Sequence, residues 1–256
     1  VYPDIKEIGK VYKPLLGIKA NSSNFSKLIR NKKIENINWQ EWSTNCRNNY
    51  IKYSTPPQYF SEPDMGKIIQ ILRENMPNDT IVTIDAGNFS GWIQRFWKYT
   101  KAKTQLAPTS GAMGYSIPAA ISAKIARKNS PVIAFCGDGG FMMSSQELAT
   151  CNQYKIKPII IIINNKMLGT IRMHQEKNYP NRKIATDLVN PDFKELSKSY
   201  NAHYENIKKH TQFLGALKRS LHSNKASVIE IEIDPQQITT RQRLEDLNNL
   251  KKGDKK

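Results

Sequence analysis

Two short apolar runs in this chain each end in residues that could bind a metal ion. Residues 132–136 lead into Gly137-Asp138-Gly139-Gly140, and residues 159–163 lead into Asn164-Asn165. Unbroken, β-branched runs of this length are typical of buried parallel strands. The intervening residues 141–154 predict a helix, with Ser144 and Glu147 at the spacing of a capping box. A right-handed βαβ crossover would bring both strand ends to one edge of a sheet.

A carboxylate and an amide oxygen at that edge suit a divalent cation. Mg²⁺ prefers oxygen ligands, so Asp138 and Asn165 could hold it beside a diphosphate. Gly139 and Gly140 would let backbone N–H groups approach phosphate oxygens. The alternative is that Asp138 and Asn165 only cap turns after strands. Their positions after two consecutive strand-like runs favour the metal hypothesis.

The motif as a whole is specific. Gly137-Asp138-Gly139, 24 intervening residues and an asparagine pair resemble the cofactor motif of thiamine diphosphate-dependent enzymes. Residues 140–143 and 146–150 resemble the branch that contains acetolactate synthases and 2-oxo acid decarboxylases. The likeness extends from about residue 64 to residue 233, and residues 4–10 resemble the end of the middle domain of those enzymes. The resemblance implies thiamine diphosphate and Mg²⁺ as cofactors and a small 2-oxo acid as substrate, and it leaves open whether a longer protein binds FAD.

The resemblance also implies roles for further residues. The backbone carbonyl of Met167 would be another metal ligand, and the turn Leu168-Gly169-Thr170 would close over the diphosphate. Gly87 and Asn88 would touch the diphosphate from a third strand-end loop, although a simple helix-start turn is an alternative reading. Phe89 stands where acetolactate synthases often carry histidine, so no phosphate contact is expected at residue 89.

Met113 and Gly111 are the predicted catalytic residues. In the resembling family a bulky apolar side chain, here Met113, holds the cofactor bent, so that its pyrimidine amino group approaches the reactive thiazolium carbon. The carbonyl of Gly111 would accept a hydrogen bond from that amino group. The alternative for Met113 is a gap-filling side chain at a helix start.

The resemblance implies partners as well. The glutamate that protonates the pyrimidine in this family belongs to a separate pyrimidine-binding domain, for which the sequence offers no match. We therefore expect either a fragment of a longer chain or a subunit with a partner chain, in a homo-oligomer. A non-catalytic binding or regulatory protein with the same fold is the alternative. Thr170 and His174 depart from the acetolactate synthase pattern, so the substrates stay open, and His174 is either a proton donor or a solvent-facing or stacking residue.

Composition, charge distribution and the lack of long apolar runs argue against a membrane protein and against a nucleic-acid-binding protein. With 256 residues and 39% hydrophobic content, the chain can build one domain and part of a second. We expect no membrane association and a cytoplasmic location, because there is no long apolar run and no signal peptide. The net charge of +17 comes from lysines spread along the chain, so nucleic-acid binding is not expected. His203, His210 and His222 lack metal-ligand spacing and receive no role.

Alternating strand and helix patterns predict an α/β fold, a doubly wound and mainly parallel sheet with helices on both faces. We predict a remnant of the middle domain at 1–30, a linker at 31–63, the thiamine diphosphate- and Mg-binding domain at 64–237 and a charged tail at 238–256. The remnant is expected to contain a helix through Ile5, Ile8 and Val11, a strand near 16–20, and a helical turn that buries Phe25, Leu28 and Ile29. In the linker, the aromatic residues are expected to pack as anchors: Trp39, Trp42, Tyr50 and Tyr53.

Overall fold

The computed structural model describes residues 1–247. The chain divides into two compact units, Val1–Ile51 and a larger unit that begins at Lys52. The larger unit contains the central sheet.

The first unit is helical and contains no β-strand. Its elements are a 3-10 helix at Ile5–Glu7, helix α1 (Ser22–Ile29), the greater part of helix α2 (Gln40–Tyr53) and a single parallel bridge between Tyr2 and Lys19. The expected longer helix is therefore wrong, and the strand expected near 16–20 is reduced to that bridge. Gly9 follows the short helix at φ +90°, and no residue of this unit is buried. The expectation that Leu28 and Ile29 face inward is wrong too, because both are exposed, whereas Phe25 is half-buried.

Helix α2 (Gln40–Tyr53) occupies much of the predicted linker. Trp42 is 69% exposed, and Trp39 and Tyr50 exceed 40%, so the anchoring role is not borne out for these three. Tyr53 does pack, because the guanidinium of Arg95 lies 4.3 Å and that of Arg241 5.0 Å from the centre of its ring. A second aromatic anchor of this stretch is Tyr59, whose ring meets Trp92 edge-on at 4.5 Å between centroids. The Tyr59 hydroxyl also donates to the carbonyl of Thr240.

The described part of the chain forms one sheet of six parallel strands, which confirms the predicted α/β class. The strands are β1 (Ile81–Ile84), β2 (Gln105–Leu106), β3 (Val132–Gly137), β4 (Ile159–Asn164), β5 (His203–Ile207) and β6 (Ser227–Glu232). Their order is β2-β1-β3-β4-β6-β5. The chain moves outward from β1 to β2 and then returns to place β3 on the other side of β1. A topological switch point therefore lies between the carboxyl ends of β1 and β3, where open α/β sheets bind ligands.

Helices cover both faces of the sheet. They are α3 (Met65–Asn75), α4 (Ser90–Phe96), α5 (Ser116–Ala126), α6 (Asp138–Ser144), α7 (Leu148–Gln153), α8 (Gly169–Asn178), α9 (Phe193–Ser199) and α10 (Phe213–His222). One core packs α3, α4 and α10 against alternate strand residues such as Ile133 and Ile161. The other packs α5, α6, α7 and α9 against the residues between them, such as Ala134 and Ile160. Burial on both faces explains why the strand sequences are continuously apolar.

The expected capping box at Ser144 and Glu147 is wrong. Helix α6 already begins at Asp138, so Ser144 is its last residue, and a 3-10 turn (Ser145–Glu147) separates α6 from α7. The Ser144 hydroxyl is buried without a hydrogen-bond partner, and Glu147 accepts instead from the hydroxyl of Thr150.

The described part of the predicted tail packs onto the larger unit. Ile238, Leu244 and Leu247 are buried and form a cluster with Met167 and Met173. Residues 248–256, the remainder of the predicted tail, lie outside the described residues. Within residues 1–247, no helix combines the length and the apolar character that a membrane crossing requires.

Candidate functional site

A cleft with a volume of about 250 Å³ lies at the switch point. It is lined by the loops that follow β1, β2, β3 and β4, and by residues that follow β6. Each loop leaves the carboxyl end of a parallel strand, so side chains distant in sequence converge here.

Every residue that the sequence predicted for the site lines this one cleft. They are Gly87, Asn88, Gly111, Met113, Gly137, Asp138, Gly139, Gly140, Asn165, Met167, Leu168, Gly169 and Thr170. The structure thus brings them together, while their binding roles stay predictions. His174 is exposed on α8 and is not among the residues that line the cleft.

Asp138 is a buried carboxylate at the amino end of α6, with only 2% of the residue exposed. Burial raises the pKa of Asp138, and this rise is opposed by the side chain of Asn190 and by the amides of Gly139 and Lys166. Removing a charge from water is costly unless a counter-charge compensates for it. A cation in the cleft would provide that counter-charge.

The Asn165 turn is held by a short antiparallel contact. The Asn165 side-chain oxygen accepts from the amide of Met167 at 3.2 Å. On the far side of the turn, Leu168 N donates to the Thr186 carbonyl and Leu188 N donates to the Lys166 carbonyl. The backbone of Met167 therefore lies between two fixed hydrogen bonds.

Asp85, which the sequence analysis did not select, holds the loop that carries Met113. Its carboxylate follows β1, is 2% exposed, and accepts from the amides of Gly114 at 2.8 Å and Ser116 at 2.5 Å. Burial raises the pKa of Asp85, and the hydrogen bonds from these amides oppose the rise. Gly111 and Gly114 have φ values of +68° and +76°, so the turn around Met113 depends on glycine.

Gly140 makes room for Asp85. A Cβ atom built on Gly140 would overlap the Asp85 carboxylate. At neighbouring Gly139, a Cβ would instead meet the flexible ends of Leu168, Leu188 and Met113 at 3.1–3.3 Å. Gly139 and Gly140 therefore have different roles, and the absence of a side chain at 140 leaves the space that the buried Asp85 carboxylate occupies.

Asn88 and Thr170 join the β1 loop to the start of α8. The Thr170 hydroxyl accepts a hydrogen bond from the backbone N–H of Asn88 and donates one to the side-chain oxygen of Asn88, both at 3.0 Å. The ring of Phe89 packs beside Gly137, with Cε1 3.3 Å from the position of a Cβ there. An apolar ring therefore occupies the wall where the resembling enzymes often carry histidine.

Asn190 is a second residue that sequence reasoning missed. Its side-chain amide donates to Asp138 and to Asn164, and so joins the ends of β3 and β4. In the sequence, Asn190 stands two residues before Asp192, which is the N-cap of α9. An asparagine at such a place is an ordinary helix-start pattern, so it gave no sign of a role in the site.

Comparison with known proteins assigns the family. Residues 85–231 match the family described as "Thiamine pyrophosphate enzyme, C-terminal TPP binding domain". This chain belongs to the thiamine pyrophosphate enzyme family. The match covers more than half of the chain, and it includes every cleft-lining residue from Ala86 to Ile171.

Individual relatives narrow the likeness to acetolactate synthases. The chain is 36% identical, over 70% of its length, to the probable acetolactate synthase large subunit of Methanocaldococcus jannaschii, of which it covers 30%. It is 34% identical, over 77% of its length, to the acetolactate synthase large subunit of Lactococcus lactis, covering 35% of that protein. It is 29% identical, over 78% of its length, to acetolactate synthase isozyme 2 large subunit of Escherichia coli, covering 37%. The chain thus spans about a third of the length of these curated relatives.

The cleft fits the cofactor of this family. Asp138 and Asn165 offer oxygen ligands of the kind that Mg²⁺ takes, and Gly139 presents its backbone to the cleft without a side chain. Met113 adds an apolar surface to the same cleft, and its Cε lies 3.3 Å from the position that a Cβ on Gly139 would occupy. The donor set is therefore suited to a diphosphate held through a divalent cation.

Proposed function

We propose that this chain is the cofactor-binding half of a thiamine diphosphate- and Mg²⁺-dependent 2-oxo acid decarboxylase or carboligase of the acetolactate synthase type. The observation that carries the proposal is the placement of Asp138 and Asn165 in one cleft with Met113, after adjacent parallel strands. A turn-capping role would explain each polar residue separately. It would not explain why a buried carboxylate and an apolar side chain share one cleft at the switch point.

In this proposal each wall of the cleft has its own task. Asp138, Asn165 and the Met167 carbonyl would hold Mg²⁺, and the backbone at Gly139 and Gly169 would approach the diphosphate. Met113 and the Gly111 carbonyl would hold the pyrimidine end, on the loop that Asp85 fixes. The bound cofactor would supply an electron sink for cleavage of the bond beside the carbonyl of a 2-oxo acid.

The remaining lining residues would exclude water from the reacting end. Phe89, Trp92 and Ile238 contribute apolar walls to the cleft. An apolar wall strengthens the electrostatic attraction between the cation, its ligands and the diphosphate. The glutamate that completes the chemistry would come from a pyrimidine-binding domain, in a longer chain or in a partner subunit of a homo-oligomer.

Calorimetric titration with thiamine diphosphate tests the proposal. We expect saturable binding with Mg²⁺ present and binding at least about tenfold weaker after metal removal, because Asp138 and Asn165 would hold the diphosphate only by way of the bound ion. The variant Asp138→Ala should bind alike with and without Mg²⁺. Binding that is equally strong in the parent chain with and without metal would refute the magnesium-dependent site.

A further inference from the structure

Asn190 joins the two strand ends that carry the proposed metal ligands. Its side-chain nitrogen lies 2.8 Å from Asp138 Oδ2 and 3.1 Å from Asn164 Oδ1. An asparagine amide has two N–H groups, so it can serve both acceptors at once. Asp138 Oδ2 is therefore held in place by a group that belongs to neither strand.

Asn164, the first member of the asparagine pair, is in turn held from behind. It is 5% exposed, and its amide nitrogen donates to Glu230 Oε1 at 2.6 Å. Because a carboxylate only accepts, the Asn164 nitrogen must face Glu230 and its oxygen must face Asn190. That oxygen also accepts from the Lys166 amide at 3.1 Å. The acceptor that orients Asn190 is thus itself fixed.

The backbone that carries Asn190 is tied to the Met167 turn. Asp187, three residues before Asn190, forms an antiparallel bridge with Met167. Arg172, only 6% exposed, holds this segment onto α8 through Asp187 and through Thr186, whose hydroxyl accepts at 2.8 Å. A shift of this segment would therefore move Asn190 and Met167 together.

We propose that Asn190 is a positioning residue for the metal site. It fixes Oδ2 of Asp138 through one N–H and aligns this carboxylate with the β4 end through the other. The carboxylate is then held in the orientation in which it lines the cleft, where a cation can reach it. This inference rests on the proposed function, because it assigns Asn190 to the same magnesium site.

Two variants separate hydrogen bonding from packing. Asn190→Ala removes the amide, whereas Asn190→Leu removes the amide but keeps a side chain of similar branching and size. Groups that orient metal ligands typically change metal affinity 10- to 100-fold when removed. We expect the Mg²⁺ concentration for half-saturation, measured by calorimetry with excess thiamine diphosphate, to rise about tenfold or more in both variants.

The matched control is Asn224→Ala. Asn224 is an exposed asparagine that precedes β6, at the opposite edge of the sheet from the cleft. This variant should bind Mg²⁺ as the parent does. At saturating Mg²⁺, the affinity of the Asn190 variants for thiamine diphosphate should return to within about threefold of the parent, because only metal occupancy is affected.

Each other outcome overturns the inference. If Asn190→Leu binds Mg²⁺ like the parent, Asn190 acts by packing. If saturating Mg²⁺ fails to restore cofactor binding in both variants, the substitution damages the cleft as a whole. If the parent chain itself shows no Mg²⁺-dependent binding, the proposed function fails and the inference fails with it. That result differs from the two above, which concern only the Asn190 variants and leave the proposed function intact.

Discussion

The substitution Gly140→Ala tests the most crowded contact of the site. Gly140 lies in α6, where replacing glycine with alanine would by itself add about 1 kcal/mol of stability. In this structure the new methyl group would overlap the carboxylate of Asp85, which two backbone amides hold in place. The two effects oppose each other, so the sign of the measured change decides which one prevails.

We expect the steric effect to prevail. Overpacking of a buried position costs about 1–3 kcal/mol, and each hydrogen bond to a charged group is worth about 1.5–3 kcal/mol. If the carboxylate moves far enough to weaken one of its hydrogen bonds, the net loss for Gly140→Ala is about 2–4 kcal/mol after the helix gain is subtracted. At about 3 °C per kcal/mol, the melting temperature should fall by about 10 °C.

Gly139→Ala is the matched control, one residue earlier in the same helix. Its methyl group would meet only the ends of flexible side chains, the nearest being Leu168 Cδ2 at 3.1 Å. We expect its free energy of unfolding to stay within about 1 kcal/mol of the parent. Urea unfolding, followed by the fluorescence of the buried Trp92 and Trp97, measures both variants.

A double-mutant cycle identifies the cause. Asp85→Ala removes the carboxylate and leaves the Gly114 and Ser116 amides without their acceptor, so it should be destabilising alone. In that background Gly140→Ala should become neutral or stabilising, because nothing remains for the methyl group to overlap. An unchanged cost of Gly140→Ala in the Asp85→Ala background would refute the reasoning, as would a Gly140→Ala variant as stable as the parent.

Three further perturbations have defined outcomes. Burial raises the pKa of Asp138 above its usual 3.8, so the folded state holds this proton more tightly than the unfolded state. The metal-free parent should therefore lose more stability than Asp138→Asn as pH rises above 3.8 through the raised pKa, so the difference between their melting temperatures should shift in favour of Asp138→Asn; a constant difference would contradict this. Arg172→Ala should cost about 3 kcal/mol in urea unfolding because it leaves the buried Glu176 carboxylate and Thr186 hydroxyl without their arginine, while Lys183→Ala, which removes an exposed partner of the exposed Asp187, should cost less than about 1 kcal/mol; similar losses would argue against burial as the cause. Thr170→Val should weaken thiamine diphosphate binding measurably by calorimetry, because Asn88 loses two hydrogen bonds to the Thr170 hydroxyl and the β1 loop loosens, with unchanged affinity as the contrary result.

The sheet was predictable because its physical cause is visible in the sequence. Strands covered on both faces must be apolar at every position, and the runs at 132–136 and 159–163 correspond to β3 and β4 within one residue at the carboxyl ends. Strand β2 was not predicted, because a two-residue edge strand contains too few positions to form a pattern. The predicted residues of the cleft converged for the same reason, since parallel strands fix where their loops emerge.

The N-terminal unit shows the limit of such patterns. Spacing at Ile5, Ile8 and Val11 predicts an amphipathic helix, but a short helix gains little stability unless its apolar face is buried. In the structure this unit offers no buried position, and only a 3-10 turn forms at Ile5–Glu7, where the longer helix was expected. The capping-box error has a different cause, because the motif matched in spacing while the helix had begun six residues earlier.

The contacts that organise the site were invisible in the sequence for one shared reason. Asp85, Asn88 and Asn190 act on groups that are 26 to 82 residues away along the chain, so no local spacing reveals them. Each of them ties one strand-end loop to another through a polar side chain. The loops of the cleft are thus fixed to one another independently of the apolar cores beneath them.

The two buried carboxylates of the site illustrate how this arrangement separates structure from binding. Asp85 and Asp138 are equally buried, and burial raises the pKa of both. Each oxygen of Asp85 accepts from a backbone amide of the Met113 loop, so its acceptor capacity serves the fold. Asp138 has partners too, the Asn190 side chain on Oδ2 and the amides of Gly139 and Lys166, but it also lines the cleft, where a cation can reach it. Asp85 is not among the residues that line the cleft. Access to the cleft therefore distinguishes the structural acid from the proposed metal ligand where burial does not, and substituting Asp85 should damage the unliganded chain, whereas substituting Asp138 should damage binding.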